Sequence, residues 1–108
     1  MLVFLSINAQ NNASEINIGD KLIIGKLTNG TFQSITLPKR NFIVKRGGIA
    51  NYKSVENNIV VVTNIEKDKN GNTIVELKRN NGKRFFNTHK TIKANLQEAL
   101  DSGELKTQ

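Results

Sequence analysis

Between Ile59 and Thr88 the chain alternates apolar, strand-like runs with short polar turns, and this pattern predicts a β-meander. Ile59-Val60-Val61-Val62 is a continuous β-branched run, which suits a strand with both faces at least partly covered at the centre of a sheet. Asp68-Lys69-Asn70-Gly71-Asn72 separates a strand over Ile59 to Lys67 from one over Thr73 to Arg79. Asn-Gly is the pair that best tolerates the positive φ angles of a type I′ hairpin turn. Within Thr73 to Arg79, Val75 and Leu77 share one face and Glu76 and Lys78 the other, so one face packs on a core and the other meets water. Asn80-Asn81-Gly82 then predicts a second turn, leading into a third strand over Lys83 to Thr88.

Upstream, Lys21 to Lys26 reads as a strand entered through a bulge or turn at Gly19-Asp20. Thr28-Asn29-Gly30 reads as a turn into a strand over Thr31 to Leu37, ended by Pro38. Asn41 to Val44 reads as a short strand with Phe42 and Val44 on one face, broken by the basic loop Lys45-Arg46-Gly47-Gly48. The stretch through Ile49, Tyr52 and Val55 is irregular. Downstream, Ile92 and Ala94 supply a last strand or extended turn. Asn95 caps a short helix with Glu98 in the capping-box position, Leu96, Ala99 and Leu100 form its apolar stripe, and Gly103 ends it. Glu104 to Gln108 reads as a frayed tail.

The expected fold is therefore mostly all-β, a small antiparallel barrel with one short C-terminal helix. An SH3-like barrel is the first choice. An OB-like barrel is second, because it wants a helix between its third and fourth strands that the pattern does not supply. A length of 108 residues allows one such domain, with residues 16–103 as its expected extent, 10–15 a polar linker and 104–108 the tail. Residues 1–9 resemble the end of a secretory signal peptide: the apolar run Leu2 to Ile7 leads to the small Ala9, without a basic segment before it. That resemblance implies an exported, periplasmic or secreted bacterial protein. The alternative reading makes Leu2 to Ile7 a first strand in a cytoplasmic protein. No stretch approaches the ~20 apolar residues of a membrane-spanning helix.

Charge changes this picture most. The chain carries 16 Lys and Arg against 9 Asp and Glu, a formal net charge of +7, which favours polyanionic partners: nucleic acid, acidic glycans or an anionic surface. The plainer reading of such a surface is solubility. Cysteine is absent, so disulfides, thiolate metal sites and cysteine nucleophiles are excluded, and His89 is the single histidine. Metal and cofactor chemistry is not expected, and neither is catalysis.

The sharpest candidate is the basic hairpin Lys78-Arg79 and Lys83-Arg84 beside Phe85 and Phe86. Consecutive strand residues face opposite ways, so one ring is expected outside, where it could stack on a base while the cations neutralise phosphates. The plainer reading covers both rings. Lys45-Arg46 before Gly47-Gly48 offers a weaker anion site without phosphate-loop spacing, and Tyr52 with Phe42 could line a peptide groove. The functional expectation is a non-enzymatic binding module whose basic, partly aromatic face takes a protein segment or an anionic envelope polymer. Its alternative is a single-stranded nucleic-acid-binding module.

Overall fold

The computed structural model describes residues 16–27 and 30–107. The candidate signal segment at 1–9, the linker at 10–15 and the Thr28-Asn29 turn pair lie outside the described residues. In chain order the elements are β1 (Lys21–Ile24), β2 (Ile35–Thr36), α1 (Arg40–Lys45), a 3₁₀ turn (Tyr52–Val55), β3 (Ile59–Lys67), β4 (Thr73–Arg79), β5 (Thr91–Asn95), α2 (Leu96–Ser102) and β6 (Leu105–Thr107). The strands form one six-stranded sheet in the order β2-β5-β4-β3-β1-β6, every pairing antiparallel. The protein is thus mostly β, its sheet curled into a half-barrel.

The expected β3–β4 hairpin forms with the predicted limits, and Val75 and Leu77 are fully buried beneath it. One residue is extra. Val62 pairs with Leu77 and Asn64 with Glu76, so Thr63 bulges, and its hydroxyl donates to the Glu76 carboxylate at 2.8 Å. β3 and β4 hold the centre of the sheet, as the β-branched run predicts. The C-terminal helix also forms where read: Asn95 Oδ1 accepts from Glu98 N, Leu96, Ala99 and Leu100 face the core, and Gly103 takes φ 81°, while the reciprocal half of the capping box is replaced by Asn95 N donating to Ser34 O at 2.8 Å.

Four readings need correction. Asn41 to Val44 is not a strand but lies in the helix α1, which follows Pro38 and Lys39 and buries Ile43 alone among its residues. The apolar triplet Phe42-Ile43-Val44 carries strand propensity, and tertiary burial of one of its three side chains overrides it. The strand read over Thr31 to Leu37 is reduced to Ile35–Thr36. Lys83 to Thr88 is not the third meander strand; that place is taken by β5, paired to β4 from Lys78↔Thr91 to Ile74↔Asn95. Residues 104–107 are no frayed tail, since Leu105 is buried and β6 pairs with β1.

The sheet edges β2 and β6 are joined by one side chain. Glu104, only 3% exposed, accepts from Gln33 N through Oε2 and Ser34 N through Oε1, both at 2.8 Å, while its own carbonyl accepts from Gly25 N. A carboxylate spanning two backbone donors does here what a further strand ladder does in a closed barrel. The core beneath gathers Leu22, Ile24, Val60, Val62, Leu77, Ile92 and Leu96 with both phenylalanines of the 80–90 connection.

Candidate functional site

The β4–β5 connection builds the site. Asn80 to Gly82 turns the chain as the Asn-Gly signal predicts, with Gly82 N donating to Arg79 O at 3.1 Å. The chain then hooks tightly: Phe85 N donates to His89 O at 2.7 Å and His89 N returns to Phe85 O at 3.0 Å, with Phe86 and Asn87 at φ 56° and 62°. Left-handed φ at two successive residues breaks the strand alternation. Phe85 and Phe86 can therefore both point inward, and they are 1% and 6% exposed. Neither ring is available to stack on a base, which corrects the expectation of one outward phenylalanine.

The same hook turns the cations outward. Lys78 and Arg79 from the end of β4, Lys83 and Arg84 from the turn, and Lys90 from the approach to β5 line a depression of about 320 Å³ with Gly82. No carboxylate lines it. The Arg79 guanidinium is held along the connection, Nη1 reaching Arg84 O at 3.4 Å, while its Nε is enclosed without a hydrogen-bond partner. Arg84 Nη1 lies 3.5 Å from Thr88 O. The single ion pair among the described residues, Lys93 to Glu66 at 3.7 Å, lies elsewhere. Five cations thus share one depression that no carboxylate lines. Four of the five are the residues singled out in the sequence; Lys90 completes the set.

A second feature lies across the His89–Thr91 segment. An open groove of about 640 Å³ is lined by Leu37, Pro38, Phe42 and Ile92, with Lys45, Arg46 and Lys93 at its edge and Thr36, His89 and Thr91 completing the wall. The expected basic pair Lys45-Arg46 is placed here rather than at a glycine anion loop: Gly47 N and Gly48 N donate to Val44 O and Ile43 O, closing the end of α1. Gly48 has no room for a side chain, since a Cβ would strike Phe86 O and the Thr88 and Ile43 methyl groups. This close approach seats α1 on the hook. The sequence signal for the groove is helical spacing: Phe42, Lys45 and Arg46 stand at i, i+3 and i+4, a face hidden when the segment is read as a strand.

Tyr52 does not join Phe42 in the groove. Its hydroxyl donates to Pro38 O at 2.7 Å, its ring lies 5.8 Å from that of Phe86, and the Arg40 guanidinium sits 4.1 Å above it. It is a strut between α1 and the hook. His89 is tied into the same framework. The Thr88 hydroxyl donates to Phe85 O at 3.4 Å, so at 2.6 Å from Thr88 Oγ1 the imidazole Nδ1 is assigned the proton, leaving Nε2 to accept from Arg46 Nη1 at 3.5 Å. Burial, and then the Arg46 charge, hold its pKa below the ordinary 6.5, which keeps the ring neutral near pH 7. Among the described residues, no three His, Asp or Glu side chains converge to hold a metal. No family model, no curated protein and no solved structure matches this chain.

Proposed function

We propose that this protein is a non-enzymatic binding module that holds an anionic polymer in the depression formed by Lys78, Arg79, Lys83, Arg84 and Lys90. The observation that carries the reading is the convergence of five cations with no carboxylate among the lining residues. A chain with closely spaced phosphate, sulfate or carboxylate groups would be drawn in by charge and held by counterion release. The burial of Phe85 and Phe86 gives this recognition its character. With no aromatic platform beside the cations, the polymer is recognised by its charge spacing rather than by its bases or rings, and a nucleic acid would be bound without sequence preference.

The test is fluorescence anisotropy of labelled oligothymidylate and of labelled heparin across a salt series. Binding to oligothymidylate should weaken with a log–log slope of about −0.7 for each phosphate neutralised. The double variant Lys83→Glu/Arg84→Glu, altering two exposed side chains, should flatten that slope by about 1.4. Lys53→Glu/Lys69→Glu changes charge equally at exposed positions outside the depression and should leave most of the affinity intact. Equal losses in the two double variants, or no binding at low salt, would show that net charge alone or nothing at all is being measured, and the proposal would fail.

A further inference from the structure

The groove beside α1 differs from the basic depression in chemistry. Its floor is apolar, built by Leu37, Pro38 and Ile92, and one wall is the ring of Phe42, which remains 50% exposed. Val44 and Ile49, at 62% and 67% exposed, lie on the same stretch of chain but outside the groove lining. Three of the five large exposed apolar side chains among the described residues therefore fall between positions 42 and 49. The half-exposed Phe42 ring beside Leu37, Pro38 and Ile92 is the apolar contact surface of the groove. The groove edge adds a second constraint: Lys45 and Arg46 are exposed cations, Lys93 is paired to Glu66 at 3.7 Å, and no carboxylate lines the groove.

We infer that this groove is a docking site for an acidic segment of a partner protein, one that inserts a bulky apolar side chain against Phe42 while its flanking carboxylates meet Lys45 and Arg46. Charge complementarity selects this occupant. A second copy of the chain would bring its own net charge of +7 to a cationic edge. An anionic polymer without apolar side chains leaves the Phe42 wall and the Leu37 floor exposed to water. An open groove covers one side of an extended segment and suits it better than a small molecule, which is bound by enclosure. The helical spacing of Phe42, Lys45 and Arg46 sets the apolar anchor and the cations along one ridge, so the partner should carry its carboxylates next to the anchor rather than at a distance.

The experiment uses a fluorescein-labelled peptide of sequence DELFEDL and two relatives, NQLFNQL, which lacks the charges, and DESSEDS, which lacks the apolar anchors. The first should bind, and each relative should bind at least about tenfold more weakly. Phe42→Ser should weaken the first peptide about tenfold, and Lys45→Glu should weaken it severalfold; Lys45 is exposed, and unlike Arg46 it has no hydrogen bond to His89, so this variant guards against loss of fold. Lys83→Glu/Arg84→Glu, which disables the separate basic depression, should change peptide affinity by less than about twofold. No saturable binding of DELFEDL to the wild-type chain, equal affinity for all three peptides, or a concentration-dependent dimer abolished by Phe42→Ser would each overturn the inference.

Discussion

The two connections that flank β4 begin from similar Asn-Gly signals and end as different objects. In the first, Asp68 closes the turn on itself: Oδ1 accepts from Asn70 N and Asn72 N at 2.9 Å, Oδ2 accepts from Asn72 Nδ2 at 3.2 Å, and Gly71 takes φ 83°. It is surface chemistry, closed within five residues by one carboxylate. The second opens with a similar turn and then continues into the hook at Phe85 to His89, held by two buried rings rather than by a carboxylate. Anchorage in the core lets this connection keep non-glycine residues at positive φ and hold cations that no acid balances. A turn that satisfies itself serves the fold; a turn pinned from beneath is free to present charge above.

The comparison breaks most severely if the anchor is removed. Phe85→Ala should cost about 3–5 kcal/mol, the range for deleting a buried aromatic ring, and should abolish the basic depression with the hook. Chemical denaturation checks the first and the anisotropy assay the second. Asp68→Ala should cost far less and leave anion binding unchanged, because that turn touches neither the core nor the depression. A Phe85→Ala loss below about 1 kcal/mol would mean that the hook is not held by its rings.

A subtler way to sharpen the contrast is to change backbone freedom alone. Asn87, at φ 62°, is exposed, so Asn87→Ala should cost about 1 kcal/mol from left-handed strain and Asn87→Gly should cost little or nothing. Equal stability of the two variants would show that the hook relaxes rather than bearing the strain.

The same contrast explains what was legible in the sequence. The β3–β4 hairpin reads correctly because its information is local: alternation in Val75 and Leu77, and a turn whose own side chains satisfy it. The α2 cap is local too, written in Asn95, Glu98 and Gly103. The segments that misread are those whose conformation is set by distant partners. Phe42-Ile43-Val44 is helical because Ile43 is buried against the hook side of the fold; residues 33–34 and 104 are held together by a contact spanning 70 positions. Four of the five cations of the basic depression are visible in the sequence because they flank one Asn-Gly turn. The groove is legible only in part, through Phe42 and the Lys45-Arg46 pair, since its other walls come from the β2 end and β5, and no short spacing links Leu37 to Ile92.

Acid should separate the two connections by the pH at which each loosens. Both key groups have lowered pKa values, for different reasons. For His89 burial is the larger cause and the Arg46 charge the second. Its neutral form is favoured in the folded chain, so its stabilisation is complete above the ordinary value of 6.5 and is lost as pH falls from there through the folded pKa. For Asp68 the backbone bond from Asn72 is the largest cause, followed by the Asn72 side chain and, more weakly, the amides of Asn70 and Gly71. Its stabilisation is present above 3.8 and fades only as pH falls through a folded pKa lower still. Amide exchange followed by NMR should therefore show Phe85 and Thr88 losing protection in a mildly acidic step, while Asn70 and Asn72 hold until a strongly acidic one. His89→Gln should erase the first step and Asp68→Asn the second. If both connections lose protection together in the wild-type chain, the hook and the hairpin turn open as one unit, and the independence drawn between them is wrong.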